Sequence, residues 1–293
     1  MPGDSPHQVA ALVTAFRRPM QTMETISKIL SCEPPPTELL VHVDGGNEEL
    51  AKQVRDRFPT ARVFVTPGNI GPGASRNVLL REARCDLCAS FDDESYPVNA
   101  NYFARIVAAF AEFKGAWIVA GVLRDRRSID LSPAPWPARV ATFSGGACVY
   151  RKSLTARAGG YVPVLVGYGM EELDLSIRIH AMGGKVIYVP DLVVFHDSDL
   201  SHRATASIDA ATLTNIGLHC FLRYPLVLWP IGIFQVMNMV RWAFAAGRLR
   251  GVVKGLLDMP RVSWRFRGYR QPIAARSVLA FLRLKRRPIA LHR

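Results

Sequence analysis

Three carboxylates stand in a row at Asp92-Asp93-Glu94, directly after the apolar run 87–91 and just before Ser95-Tyr96-Pro97. In an extended segment alternate side chains share a face, so Asp92 and Glu94 are expected to converge on one point while Asp93 faces another. Two hard oxygen donors at a strand end suit Mg²⁺ or Mn²⁺ holding a diphosphate. The same triplet also has the form of a helix start, with Asp93 or Ser95 as cap and the acids favoured by the dipole of a helix over 99–113. A second acidic pair, Glu171-Glu172, follows Gly167 and Gly169 and opens a helical pattern that runs to Met182 and stops at Gly183-Gly184. Dipole complementarity accounts for an acid there, but not for flanking glycines that let another molecule come close. Asp174 and Arg178, at i and i+4, read as a structural pair. His196 ends the apolar run 193–195, where a histidine is either a packed residue or a ligand.

These groups need elements to position them. Short apolar runs at 9–14, 39–43, 62–65 and 87–91 alternate with helical patterns at 22–30, at 48–57 and, after the loop that ends at Asn77, to about Arg84. That alternation predicts βαβ units and a mostly parallel sheet flanked by helices. In such sheets a ligand sits beyond the carboxyl ends of the strands. Here those ends carry Thr14 and Arg17, then Asp44, then the glycine-rich loop 69–77 with Asn69 and Gly71, then Asp92, Asp93 and Glu94. Asp44-Gly45-Gly46 and the loop glycines are also ordinary turn signals. Their common topological position points to a nucleotide-diphosphate site, because a base or ribose needs a carboxylate partner and phosphates need cations and amides. Neither a Gly-x-Gly-x-x-Gly at the first strand end nor a Gly-x-x-x-x-Gly-Lys loop is present, so Rossmann dehydrogenases and P-loop enzymes lack their signatures. Further strands are expected at 117–121, 142–150 and 185–189. A short helix is expected at 153–158, and a Pro-rich connection over 125–137 is long enough to be a functional loop.

At 293 residues and 49% apolar composition, the chain can fill one large α/β domain with an appendage. Residues 1–8 have no basic cluster leading into an apolar core, which sets the expectation of a cytoplasmic protein, and five cysteines without regular spacing read as reduced packing residues. The net charge of +13 is localised: residues 241–293 contain 14 Lys and Arg against the single acid Asp258, whereas residues 1–240 contain 23 of each sign. Two segments with two tasks follow, a neutral domain over 1–224 and an apolar, basic, helical tail over 225–293. Residues 226–240 are too short for a spanning helix, and Gln235, Asn238 and Arg241 recur every three residues. This reads as a polar stripe on a helix lying in a membrane interface.

Taken in order, these motifs resemble the family 2 glycosyltransferases, inverting enzymes of the GT-A (nucleotide-diphospho-sugar transferase) fold. The resemblance covers residues 9–225. It is carried by Val13-Thr14-Ala15-Phe16-Arg17-Arg18, Val43-Asp44-Gly45-Gly46-Asn47, Asn69-Ile70-Gly71 with Ala74-Ser75-Arg76-Asn77, Phe91-Asp92-Asp93-Glu94, and Gly169-Met170-Glu171-Glu172-Leu173-Asp174-Leu175 with Arg178, followed by His196. It implies that Asp44 contacts the nucleobase, that Arg76 lies near the nucleotide, that Asp92, Glu94 and His196 hold Mn²⁺ or Mg²⁺ and the diphosphate, and that Glu172 is the general base beside Glu171. Gly45 stands where the family has a second Asp, and Glu94 and Glu172 stand where Asp is usual, each reaching about one methylene further. The implied donor is a nucleotide sugar, with UDP-sugar expected, and the acceptor a saccharide or lipid-linked hydroxyl in cell-surface polysaccharide or glycolipid synthesis. The tail adds an expected peripheral location at the inner face of the plasma membrane. Two other functions stay open on the sequence. A sugar nucleotidyltransferase would need a lysine-containing glycine-rich loop near the start, and a nucleic-acid-binding protein led by the tail would leave the acidic strand ends unexplained.

Overall fold

The computed structural model describes residues 8–125, 135–197 and 205–291. The expected functional loop over 125–137 therefore lies largely outside the described residues, as does most of the N-terminal stretch 1–8. The first half alternates as the apolar runs require: β1 (Val9–Ala15), α1 (Pro19–Leu30), β2 (Glu38–Val43), α2 (Glu48–Arg57), β3 (Arg62–Val65), α3 (Pro72–Glu82) and β4 (Leu87–Asp92). Pro19 starts α1 three residues before the expected boundary, because its fixed φ and missing N–H suit the first helical turn. The Asn47 side chain accepts from the Leu50 amide at 3.0 Å and caps α2.

β3, β2, β1 and β4 lie side by side and parallel, with β1 in the middle. Side chains of β1 alternate between two cores: Ala11 and Val13 pack on one face of the sheet, and Ala10 and Leu12 on the other. A strand covered on both faces has to be apolar throughout, which is why residues 9–13 show no polar alternation. The register sets Thr14 beside both His42 and Asp92, so the carboxyl ends of β1, β2 and β4 finish level along one edge.

The chain continues through β5 (Ser95–Pro97), α4 (Tyr102–Glu112), β6 (Ala116–Asp125), β7 (Ala138–Val140), β8 (Cys148–Arg151), α5 (Lys152–Arg157), α6 (Glu171–Ala181) and β9 (Lys185–His196). The sheet is mixed: β8 runs antiparallel between β4 and β6, and β9 is parallel to β6. Two expectations change. Residues 142–150 are not one strand. Only the Cys148 end pairs, and Thr142 to Ala147 form a loop in which the Ala147 amide returns to the Ser144 carbonyl at 3.0 Å. Conversely, the two apolar runs 185–189 and 193–196 are one strand, with the register against β6 slipping around Pro190, which has no N–H for the ladder.

Beyond these lie α7 (Ala206–Arg223), α8 (Trp229–Ala245), α9 (Leu249–Arg265), α10 (Ala275–Arg286) and β10 (Ile289–Ala290). The segment after residue 225 returns to the sheet: β10 pairs antiparallel with β7, and Val278, Phe281 and Leu284 of α10 bury against Ala141, Ile177 of α6 and Tyr224. The expected stripe divides. Successive steps of three residues drift by about 60° around a helix, so Gln235 turns inward to the Tyr224 hydroxyl at 3.1 Å while Asn238 and Arg241 stay exposed.

Candidate active site

The level strand ends gather the expected residues, but the chain's own charges arrange them. Asp92 ends β4, and the backbone then turns at Asp93 and Glu94 instead of staying extended. The Ser95 hydroxyl accepts from the Asp92 amide at 2.7 Å and donates to the Gly146 carbonyl at 3.1 Å, closing that turn. The alternation expected for an extended segment is therefore lost, and Asp92 and Glu94 part. Asp92 Oδ1 is bound by Arg76 Nη2 and accepts from the Thr14 hydroxyl at 3.4 Å. Asp93 and Glu94 share Arg18, whose Nη1 lies 3.3 Å from Asp93 Oδ1 and 2.5 Å from Glu94 Oε1. Burial pushes the Asp93 carboxyl up to about 7 against the opposing pull of the Phe16 amide and Arg18. The helix-cap reading fails too, since α4 begins only at Tyr102.

β5 pairs antiparallel with β9 in a register that sets Ser95 opposite His196. That pairing carries His196 Nε2 to 3.5 Å from Glu94 Oε1, and both residues are buried. Among the described residues no three metal-ligating side chains converge. Of the expected set Asp92, Glu94 and His196, the structure assembles the last two. Their carboxylate and imidazole fit Mn²⁺ as a partial donor set, while Asp92 pairs with Arg76.

Asp44 ends β2, 5% exposed, and both of its oxygens go to the glycine-rich loop. Oδ1 accepts from Thr66 Oγ1 at 3.0 Å and the Ile70 amide at 2.9 Å, and Oδ2 accepts from the Gly71 amide at 2.9 Å. The Asn69 side chain accepts from the same Gly71 amide at 3.0 Å. Gly71 has φ +85°, and a Cβ there would strike the Val164 carbonyl, so the loop is built for glycine at this point. Asp44, expected at the nucleobase, thus fastens the loop in this structure. Arg17 is exposed at the same edge with φ +61°, the one positive-φ non-glycine residue among those described, and its guanidinium lies 4.7 Å from the Phe16 ring centroid. Backbone strain of this kind costs on the order of 1–3 kcal/mol and is typical of ligand-binding positions.

The second acidic pair opens α6. Arg76, 2% exposed, spans the cleft: Nη1 bonds Glu171 Oε1 at 2.7 Å, Nη2 bonds Asp92, and Nε donates to Ser90 Oγ at 3.3 Å. Gly145 and Gly146 make room for these side chains. A Cβ at Gly145 would lie 2.7 Å from the Arg76 guanidinium carbon, and one at Gly146 would lie 2.5 Å from Asp92 Oδ2. Glu171 is buried, and its Oε2 has no hydrogen-bond partner. Glu172 is partly exposed, and its Oε1 accepts from the Gly145 amide at 3.0 Å. Burial, then the Glu172 charge, raise the Glu171 carboxyl to about 8 in spite of Arg76, and burial raises Glu172 as well.

The sign of the Glu171 effect is testable. Between about pH 5 and pH 8 the unfolded chain has released this proton and the folded protein retains it, so the contribution to stability is full at the acid end and lost as pH rises. Urea unfolding of Glu171→Gln should therefore show a flatter stability profile over that range than the parent protein. An unchanged slope would mean that Glu171 titrates normally.

Two contributors were not singled out as site residues from the sequence. Arg18 stood in the sequence only as the last residue of the first-strand motif, beside Arg17. Arg223, at the far end of α7, reaches Asp174 Oδ1 at 2.5 Å, and the sequence has no signal for a partner 49 positions away. The predicted Asp174–Arg178 pair is present at 2.7 Å.

Residues 6–136 match the profile described as "Glycosyltransferase like family 2". No curated protein matches the chain in sequence. Among solved structures it is similar to GalNAc-T7 with UDP, GalNAc and Mn²⁺, at TM-score 0.60 and 15% identity, over 76% of this chain and 49% of that one, so it spans about half the length of that protein. It is similar to the mannosyltransferase PcManGT from Pyrobaculum calidifontis in complex with GDP-Man and Mn²⁺, at TM-score 0.58 and 16% identity, over 96% and 87% of the two chains. It is also similar to S. aureus TarS 1–349 in complex with UDP-GlcNAc, at TM-score 0.57 and 14% identity, over 73% and 66%. Identities this low speak to fold alone, and the fold is GT-A-like. The matched residues 6–136 hold the four parallel strand ends, the glycine-rich loop and the acidic turn, so the part of the chain that resembles glycosyltransferase family 2 is the part that builds this edge.

Proposed function

We propose that the protein transfers a sugar from a nucleotide-diphospho-sugar to an acceptor hydroxyl with inversion, with Glu172 as general base. The observation that carries this reading is the Arg76 bridge, which ties the donor-side strand end at Asp92 to the start of α6, where Glu172 stands partly exposed. The acceptor oxygen attacks the anomeric carbon, the bond to the diphosphate breaks on the opposite face, and the hydroxyl proton passes to the Glu172 carboxylate. The Gly145 amide fixes that carboxylate, and burial makes its ionised form a better proton acceptor. Arg76 and Glu171 act as positioning residues. The nucleoside would lie against the loop that Asp44 fastens, and exposed Arg17 supplies a cation for the diphosphate. A UDP-sugar is the donor we favour, and uridine nucleotides accompany two of the three similar structures.

Glu94 and His196 would hold Mn²⁺ or Mg²⁺, which neutralises charge developing on the leaving diphosphate. Glu94→Ala or His196→Ala should abolish Mn²⁺-dependent binding of the donor in calorimetry, and donor binding equal to wild type in both variants would refute this assignment. The function itself is tested by incubating the protein with a panel of sugar nucleotides and Mn²⁺. Release of nucleoside diphosphate is expected with one of them. Release of pyrophosphate from a nucleoside triphosphate and a sugar phosphate would favour the nucleotidyltransferase reading.

For the tail we propose peripheral association with an anionic membrane, at the cytoplasmic face. Leu226–Ala245 has the length and composition of a spanning segment, with mean hydropathy 1.2. Its inner face, however, packs on α7 and α9, and Gln235 is held there. The outer faces of α8 and α9 expose Met237, Trp242, Phe244, Leu257 and Trp264 among Arg241, Arg250, Arg261 and Arg265. Aromatic residues with cations suit the headgroup boundary, where each basic residue is worth about 1 kcal/mol near anionic lipid. Phe244→Glu with Trp264→Glu should prevent sedimentation with phosphatidylglycerol vesicles while preserving the thermal transition. Undiminished sedimentation, or tighter binding of the parent protein to RNA than to vesicles, would count against this location.

A further inference from the structure

The tail also holds a concavity that none of the catalytic residues lines. A groove of about 720 Å³ runs between α8 and α10, a size typical of small-molecule sites. Pro230, Ile231 and Phe234 form one wall, and Leu279 and Leu282 the other. Its remaining lining is Arg283, Arg286 and Arg287.

The order of these residues gives the groove a direction. Leu279, Arg283 and Arg286 follow one another at helical spacing along the same face of α10, so over roughly 10 Å of axial rise an apolar floor gives way to three guanidinium groups. All three arginines are exposed, and among the described residues no carboxylate pairs with any of them. Phe234 at 69% and Leu279 at 47% exposure are apolar surface with no cover. A soluble anion alone would leave the apolar wall wet, and a hydrocarbon alone would leave three cations clustered without a counter-charge. The charge and the apolar surface are satisfied together by an amphiphile with a hydrocarbon chain and a phosphate head.

We propose that this groove binds one molecule of an anionic phospholipid, with an acyl chain on the Phe234–Leu279 walls and the phosphate on Arg283, Arg286 and Arg287. The proposal rests on the membrane reading of the tail and adds to it a stoichiometric site. Bound lipid would hold α8 and α10 together, and α10 packs directly on α6 through Phe281, Leu284 and Ile177.

The test is calorimetric titration of the full-length protein with dihexanoylphosphatidylglycerol below its micelle concentration, beside dihexanoylphosphatidylcholine and glycerol 3-phosphate. One-site binding of the phosphatidylglycerol is expected, at least about tenfold weaker binding of the zwitterionic lipid, and none of the headgroup alone. Leu279→Trp, which fills the groove, and the triple variant R283Q/R286Q/R287Q should each weaken binding at least about tenfold. The triple variant R55Q/R81Q/R84Q, at exposed arginines outside the tail, should leave it unchanged and so controls for net charge. The arginine substitutions alter only exposed side chains, so they keep the test decisive if Leu279→Trp fails to fold. Equal binding by the groove variants and wild type, or equal binding of glycerol 3-phosphate and the lipid, overturns the proposal. Vesicle sedimentation separates the two readings. Loss of sedimentation in F244E/W264E with the lipid isotherm intact supports both, parent protein that binds the short lipid without sedimenting refutes only the membrane location, and sedimentation without short-lipid binding refutes only the groove.

Discussion

Glu172→Gln is expected to lower turnover by about 10²- to 10⁴-fold, the usual worth of a positioned proton acceptor, with donor affinity unchanged. The amide matches the carboxylate in shape, and its carbonyl can still accept from the Gly145 amide, so the local fold is retained and only proton transfer is lost. The neighbouring substitution separates roles. Glu171 is buried against Arg76, and Glu171→Gln weakens the bridge to Asp92 without removing the base. Single-turnover assays of the two variants should show the larger loss at Glu172. A larger loss at Glu171 with near wild-type transfer by Glu172→Gln would exchange the two roles, and a product with retained anomeric configuration would rule out single displacement altogether.

The largest stability effect is expected at Asp174, which is fully buried two residues beyond the base. Its Oδ2 binds Arg178 Nη2 at 2.7 Å, and its Oδ1 binds Arg223 Nε at 2.5 Å. Those arginines also serve backbone: Arg178 donates to the Ala158 and Gly160 carbonyls, and Arg223 Nη1 to the Tyr269 carbonyl at 2.9 Å. One carboxylate therefore joins α6, the loop before it, α7 and the turn after α9. Burial opposes its ionisation, but His219, Arg178 and Arg223 outweigh burial and hold it well below the usual carboxylate range. Asp174→Ala leaves two buried guanidinium groups without a counter-charge, a situation that typically costs 3–5 kcal/mol, so a loss of about that size is expected in urea unfolding. The stability this carboxylate contributes is present at neutral pH and lost as pH falls through its folded-state value. A loss under about 1 kcal/mol would mean that water reaches the arginines and the network is not dry.

Much of the fold was legible because local rules and the tertiary structure agree. Apolar runs over 9–14 and 87–91 became central strands covered on both faces, and turn chemistry at Asp44-Gly45-Gly46 and Gly71 marked where β2 ends and where α3 begins. Disagreement arose where a residue's partner lies far along the chain. Residues 142–147 have strand composition, yet the space beside Gly145 and Gly146 is taken by Arg76 and Asp92, so they form a loop. The tail's basic and apolar composition was plain, but the inward turn of Gln235 and the return of α10 and β10 to the sheet depend on α7, whose packing no local pattern announces.

The sequence by itself determined which chemical groups stand at the strand ends and at the start of α6, because period and punctuation set where strands stop and helices begin, and side chains at those stops must face the same edge. Only the tertiary structure decided how the charges divide among themselves. Asp92 pairs with Arg76, Glu94 with Arg18 and His196, and Asp174 takes Arg223 as a second partner beside the Arg178 that helical spacing already supplied. Coulombic pairing in a buried site depends on distances between residues that are remote in sequence, and spacing along the chain does not encode those distances.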